Sequence, residues 1–376
     1  VDRGDDSIAS YSNSGPREDD GDGDDQDELK PDVVSPGTDM NSASHAASSS
    51  QLPGTPKPLA EDSYVEMSGT SMACPAVAGF VAVILQIADE EGIEFELLKK
   101  GILRFYDSEK EFKLDQAKTS WLDQEGMEWD TLTTEEVKEL EPAFKNNANY
   151  EKIVGGIYTK SDASGDIHKF CTNLEKVLVD KYSAILQLNT TVEYITRQKN
   201  ELVVTMRKEN EVMNESFDNV VICAGVGTQG FANRLGDKMN IYPVKGYSIT
   251  IDLKDDLSKN CAPSVSLIDQ PVKIVASRLG DRFRVAGTAE LAGINTDIRQ
   301  NRIRPLLDWV EKYFPNVSTE TYTPWAGLRP MTPNMMPITS ESKMKGVFYH
   351  AGHGHLGWTL SAETANQVVR KLESKT

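Results

Sequence analysis

The segment from Trp325 to Leu372 limits what this chain can become more than any other stretch. It holds WAGLRPMTPNMMPI, then the short apolar strand VFYHAG, then the glycine-rich turn GHGHLGWT, then SAETANQVVRKL. In the last piece Ala362, Ala365, Val368, Val369 and Leu372 share one face at helical spacing. Ser361 stands where an N-cap is wanted and Glu363 falls in the first turn. The expectation is strand, glycine turn, capped helix. Glycines let backbone come close to a bound group, and the free amides and dipole at a helix start favour negative charge there. Such a construction predicts an anion site near the C-terminus.

Specific motifs lie on this segment: Gly327-Leu328-Arg329-Pro330-Met331-Thr332-Pro333, Pro337-Ile338, and Gly352-His353-Gly354 with Leu356-Gly357-Trp358-Thr359. They resemble the C-terminal end of the D-amino-acid oxidase superfamily of FAD-dependent oxidoreductases, most closely the small subunit of D-amino-acid dehydrogenase. The resemblance implies FAD as cofactor, with Gly225, Gly352, Gly354, Leu356, Gly357, Trp358 and Thr359 at the flavin. It also implies that Arg329 pairs with a substrate carboxylate and that Tyr247 and His353 contact substrate or flavin, with Glu290 and Trp358 next in order. Arginine suits the carboxylate because its planar fork binds two oxygens at once and keeps its charge. The bland alternatives are a surface ion pair for Arg329, a half-buried sheet aromatic for Tyr247 and an uninvolved loop residue for His353.

Composition narrows the partners. With 58 acidic against 40 basic residues the formal charge is -18, and no basic stripe exists to meet phosphates, so a nucleic-acid partner is not expected. Residues 1–30 hold eleven Asp and Glu against Arg3, Arg17 and Lys30, which reads as a solvated, mobile segment. Within it Asp20, Asp22 and Asp24 mimic half a calcium loop, but Pro31 stands where the bidentate Glu belongs, so no metal is expected. Cys74, Cys171, Cys223 and Cys261 are scattered without a C-x-x-C and read as reduced, packed thiols. The longest apolar run, Met72 to Leu85, is broken by Pro75 and falls short of the ~20 residues a membrane span needs. The first residue is Val rather than Met and no signal peptide precedes the apolar run, which suggests a fragment or processed product.

A second resemblance covers residues 1–87. SIASYSNSGP, KPDVVSPGTDM and SGTSMACPAVAGFVAVILQ look like the C-terminal part of a subtilisin-like serine protease domain, with Ser71 matching its nucleophile. A serine nucleophile needs a base and an orienting partner. The only histidine before Ser71 is His45, in a Ser/Ala-rich stretch unlike that family's histidine motif. Peptidase activity is therefore not the expected function, and Ser71 is catalytic only on that reading. Between Gln86 and Phe95 the text passes into the flavoenzyme resemblance, with helix expected to run straight into helix.

Residues 88–376 read as α/β: an incomplete Rossmann-like FAD domain with an antiparallel-sheet (α+β) substrate domain, after the protease-like fragment. The substrate domain is expected mainly over 90–160 and 240–325, with flavin-domain elements over 165–235 and 326–374. Thr133-x-x-Glu136 is a capping box for a helix stopped by Pro142. A helix after IVGGIYTKSDASGD should turn Phe170, Leu174, Val177 and Leu178 inward. VEYITRQ and LVVTMRK flank KNE as a hairpin, FDNVVICAG is a buried strand, and SRLGDRFRVAGTAELAG carries a Gly-Asp turn between strands. Gly225-Val226-Gly227-Thr228-Gln229-Gly230 matches G-x-G-x-x-G, yet FANRLG is too brief for a crossover, so it reads as the glycine end of a strand rather than a dinucleotide fingerprint. The fingerprint itself, expected at the family's N-terminus, is replaced by the protease-like text.

The implied activity is oxidative deamination of a D-amino acid to a 2-oxo acid and ammonia, electrons passing through FAD to a quinone or other acceptor. The missing fingerprint predicts weak FAD binding and little activity for the chain alone. The alternatives are a peptidase fragment and a non-catalytic hybrid product. The expected location is the cytoplasm, peripheral at the inner face of the membrane.

Overall fold

The computed structural model describes residues 40–43, 64–67, 83–119, 129–146, 152–199 and 201–374. Two short strands, β1 (Met40–Ala43) and β2 (Tyr64–Met67), pair antiparallel. The chain divides into two compact units, one formed by Val1–Ile84, Gln187–Tyr242 and Arg329–Thr376, the other by Leu85–Leu186 and Pro243–Leu328. Ser71, Cys74 and the acidic run Asp19 to Glu28 lie outside the described residues.

The second unit is built on an eight-stranded sheet. Its strands are β3 (Ile102–Tyr106), β4 (Asp130–Leu132), β5 (Gly155–Thr159), β10 (Tyr242–Asp252), β11 (Ser266–Asp269), β12 (Ile274–Leu279), β13 (Arg282–Glu290) and β14 (Thr323–Met331). They lie in the order β14-β10-β13-β12-β11-β3-β5-β4. Only the β11–β3 pair among those with a stated register is parallel; β10–β13, β11–β12, β12–β13, β3–β5 and β4–β5 are antiparallel. The Gly280-Asp281 link makes the expected hairpin, with Gly280 at φ +58°. Residues 244–249 of β10 are all buried, as befits an interior strand covered on both faces.

Helix α7 (Gln300–Tyr313) covers this sheet with Ile303, Leu306, Leu307, Val310 and Tyr313, spaced at one helical face. It approaches β13 so closely that a Cβ on Gly287 would stand 3.1 Å from Leu306 Cδ2. Phe105, Phe144, Trp309, Tyr313 and Phe314 interlock beneath it, and the Trp309 indole donates to Asp269 at 2.8 Å. The buried carboxylate of Glu141 accepts from the backbone of Ala143, Ser264 and Val265, which ties the end of α3 (Thr134–Leu140) to the sheet. The capping box at Thr133 and Glu136 forms as expected.

Three expectations change here. Instead of helix running into helix, α1 (residues 83–90) stops and the chain turns at Gly92, φ +63°, before entering β3. Glycine in the left-handed region ends a helix without steric cost. In α4 (Ile167–Asp180) only Phe170 is buried and Leu178 is exposed, because the helix is held at its N-terminal end. There Asp166 caps it and also accepts from Arg282, and Phe170 meets Phe95 edge-on at 5.4 Å. Among the described cysteines, Cys171 and Cys223 are exposed and only Cys261 is packed.

The first unit holds a three-stranded antiparallel sheet, β6 (Thr190–Gln198), β7 (Glu201–Lys208) and β8 (Glu211–Phe217), and a parallel pair, β9 (Val220–Ile222) with β15 (Val347–Tyr349). The expected hairpin is present, with Lys199 in its turn at φ +53°; β8 extends it. Leu202, Val204, Met206, Ile222, Ile241, Val347 and Tyr349 form the core. Asp237 gathers Ser342 Oγ, Tyr349 OH and Lys343 N. Burial, with the nearby Asp237 carboxylate, pushes the Tyr349 hydroxyl up to about 12. Among the described residues no helix is long and apolar enough to cross a membrane.

Candidate functional site

In the first unit the end of β14 folds against the glycine turn. Met331 bridges His353 antiparallel, Gly354 N donates to Pro330 O at 3.0 Å, and Ile338 bridges Ala351. Just past this bridge the chain turns at Gly354 and His355, where Leu356 N donates to His353 O at 3.0 Å. Gly352 (φ +75°) and Gly354 (φ +56°) take the left-handed conformation that the turn requires, and both are also crowded. A Cβ would stand 2.8 Å from Thr332 Cγ2 at the first and 2.7 Å from Met331 Sδ at the second. Glycine is thus needed twice over, for conformation and for space.

The last helix, α8 (Gly357–Glu373), begins five residues earlier than its polar pattern suggested. Ser361 is not its N-cap. The Ser361 hydroxyl bonds back to Trp358 O at 3.2 Å, inside the helix, while Leu356 occupies the cap position without a side-chain hydrogen bond. Gly357, Trp358 and Thr359 therefore form the first turn, and their amides receive no side-chain cap, which leaves the positive end of a 17-residue helix at the glycine turn. The buried stripe is Leu360, Thr364 and Val368, whereas Val369 is exposed.

Three histidines stand along this turn. His350 Nε2 and His353 Nε2 both meet Thr364 Oγ1, at 2.8 and 2.9 Å, and the two rings are edge to face at 4.7 Å. The Thr364 hydroxyl donates back to Leu360 O at 2.8 Å, so both imidazoles donate to it through Nε2. His350 Nδ1 lies 3.9 Å from Cys223 Sγ at the end of β9. The Nδ1 atom of His355 is buried and has no hydrogen-bond partner.

Burial depresses all three. The His353 imidazole falls to about 4 from burial and then the neighbouring His350; His355 falls to about 4 from burial and then the charge of Arg329. The rings are neutral at neutral pH. Burial also lowers Arg329, but a guanidinium stays charged throughout the accessible range. The site accordingly combines a fixed cation, neutral imidazoles and a helix start without a side-chain cap, an arrangement suited to a carboxylate and to a group that gains negative charge.

The remaining candidates fall elsewhere. Gly225 (φ +54°) and Gly227 form one short helical turn that leads into α5 (Thr228–Arg234), only seven residues long. A Cβ on Gly225 or Gly230 would meet nothing within 4 Å, so this G-x-G-x-x-G lacks the close helix packing that a dinucleotide fingerprint requires. Tyr247 belongs to the second unit, 1% exposed, with its hydroxyl donating to Glu290 at 2.5 Å. Glu290 itself bonds to Lys245 and Arg299 there. His350, His355 and Thr364 were missed by sequence reasoning; the run H-x-x-H-x-H was the available signal, and Thr364 gave none.

Comparison with known proteins supports one lineage. Residues 32–370 match the family described as FAD dependent oxidoreductase. The chain is 44% identical over 287 residues to D-amino acid dehydrogenase 3 of Mesorhizobium japonicum, covering 76% of this chain and 68% of that protein. It is 33% identical over 295 residues to D-amino acid dehydrogenase of Dechloromonas aromatica, covering 77% and 68%. Its fold is similar to glycine oxidase from Bacillus cereus, with TM-score 0.69, 21% identity and coverage of 82% of this chain and 81% of that one. L-proline dehydrogenase from P. horikoshii gives 0.67, 17%, 80% and 78%. None of these comparisons shows the protease-like resemblance of residues 1–87, and the family match starts inside that stretch. From residue 32 to residue 370, with the Arg329 segment and the glycine turn inside the match, this chain belongs to the FAD dependent oxidoreductase family.

Proposed function

We propose that the chain oxidises D-amino acids to imino acids, which hydrolyse to 2-oxo acids and ammonia, and that a quinone or similar acceptor takes the electrons. The observation that carries the reading is the placement of Arg329, in antiparallel register with the glycine turn that opens the uncapped helix α8. FAD is the family's cofactor, and one end of it fits the residues present: the start of helix α8 at Gly357, which has no side-chain cap and carries the helix's positive end. When bound, FAD supplies a hydride acceptor that gains negative charge on reduction.

The protein's own residues do the rest. Arg329 holds the substrate carboxylate through its fork and so aligns Cα. Desolvation around Arg329 strengthens that pairing. The Thr364 hydroxyl keeps His350 and His353 in one tautomer, so the turn presents a fixed, uncharged wall. The relatives' names support amino-acid oxidation, and their D-specific names support the D configuration.

The test uses purified protein supplied with FAD, D-alanine and a dye acceptor, beside Arg329→Leu. The substitution should cut kcat/KM by roughly 10- to 100-fold, the worth of a hydrogen-bonded charge pair. Turnover unaffected by Arg329→Leu would refute the assignment.

A further inference from the structure

We propose that His355 is the residue that positions the substrate's α-amino group, its Nδ1 accepting a hydrogen bond from that nitrogen while Arg329 holds the carboxylate. The inference rests on the function proposed above and deepens it.

Of the three imidazoles in the turn, two are anchored. His350 and His353 use Nε2 on Thr364, whereas His355 Nδ1 is buried without any partner. Folded proteins rarely leave a buried polar atom unpaired, and such an atom at a binding site is commonly completed by the bound molecule. The strand contact says where that molecule would stand. Arg329 and His355 each lie two residues from the Met331–His353 bridge, one on each of the segments it joins. The charge of Arg329 is felt at His355.

Chemistry then selects the ligand group. An unpaired buried acceptor is tolerated better than an unpaired N–H, so the tautomer with a bare Nδ1 lone pair suits the orphaned atom. A cation for one end of the ligand and an acceptor beside it match a carboxylate with a hydrogen-bond donor on the next carbon. That describes an α-amino acid. A simple carboxylate would satisfy Arg329 and leave Nδ1 orphaned.

The test measures binding, so that turnover does not intervene. Two ligands are titrated calorimetrically into the FAD-supplied protein: 2-aminoisobutyrate, which has no Cα hydrogen to lose, and pivalate, in which a methyl replaces the amine. Wild type, His355→Leu and His355→Asn are compared, the asparagine oxygen standing near the position of Nδ1. His355→Leu should weaken 2-aminoisobutyrate by roughly 10- to 100-fold while pivalate changes less than about threefold. His355→Asn should restore most of the loss. Equal losses for both ligands, no loss for either, or no recovery with Asn would overturn the assignment of His355. Wild type binding pivalate as tightly as the amino acid removes this inference alone, whereas binding of neither removes the proposed function with it.

Discussion

Replacing Glu290 by Gln tests how the second unit tolerates a buried cation. The Lys245 ammonium is fully buried on β10, 3.2 Å from Glu290 Oε2, 2.9 Å from Asn295 Oδ1 and 3.1 Å from the Asp297 carbonyl. Arg299 bonds the other oxygen of Glu290, Arg302 lies 4.0 Å away, and the Tyr247 hydroxyl donates at 2.5 Å. Glu290→Gln keeps the shape and removes the only carboxylate among these contacts. Breaking a buried pair from one side costs about 3–5 kcal/mol. Arg299 is half exposed and regains water, and two neutral acceptors stay on Lys245, so the lower end, about 3 kcal/mol, applies here. Burial alone would raise the Glu290 carboxyl, but hydrogen bonds from Tyr247 and Lys245 and the charges of Lys245 and Arg299 outweigh it and hold it below its usual value. Its folded value is depressed, so its contribution is present above the unfolded carboxylate range near ~4.3 and lost as pH falls through the folded value. Urea unfolding at pH 7 and pH 3, with hydrogen exchange at residues 244–251, reads both effects. The gap between wild type and Glu290→Gln should narrow in acid, and Lys245→Met with Glu290→Leu should recover most of the loss. A cost under about 1 kcal/mol at pH 7 would refute the claim that Lys245 depends on this carboxylate.

Thr364→Val removes the common acceptor of His350 and His353 and should cost about 2 kcal/mol in urea unfolding, because two imidazole N–H groups lose their partner. Gly352→Ala combines φ +75° with a contact of 2.8 Å to Thr332 and should destabilise by about 2 kcal/mol or more, read by the same titration. His353 and His355 titrate near 4 when folded and near ~6.5 when unfolded, so the unfolded chain binds more protons in that interval. Stability should decline as pH drops from about 6.5 towards about 4, and His355→Asn should flatten part of that decline in a series of urea midpoints.

Local signals in the sequence translated directly into structure. The Thr133/Glu136 capping box, the Gly280-Asp281 hairpin and the hairpin at Lys199 each depend on backbone geometry within a few residues. The glycines at 352 and 354 pointed to a tight turn for the same reason, and Arg329 stood out by motif. The start of α8 was misplaced because a serine near a helix start can cap or bond backwards, and polarity does not distinguish the two. The inward face of α4 was overcounted because amphipathic spacing shows which side is apolar, not how much of it finds a partner.

Chemistry at the site came from contacts between distant positions. Sequence pointed to a glycine turn leading into a helix across residues 352–359, because glycine's freedom and the polarity of a helix start are properties of the local chain. Tertiary structure alone decided that the end of β14 meets the glycine turn at Met331 and His353 and that Thr364 joins His350 to His353. It also decided that Lys245 is buried against Glu290 on a neighbouring strand. Register between strands and the loss of water around a side chain are set by how the whole chain packs, and no short window of sequence contains them.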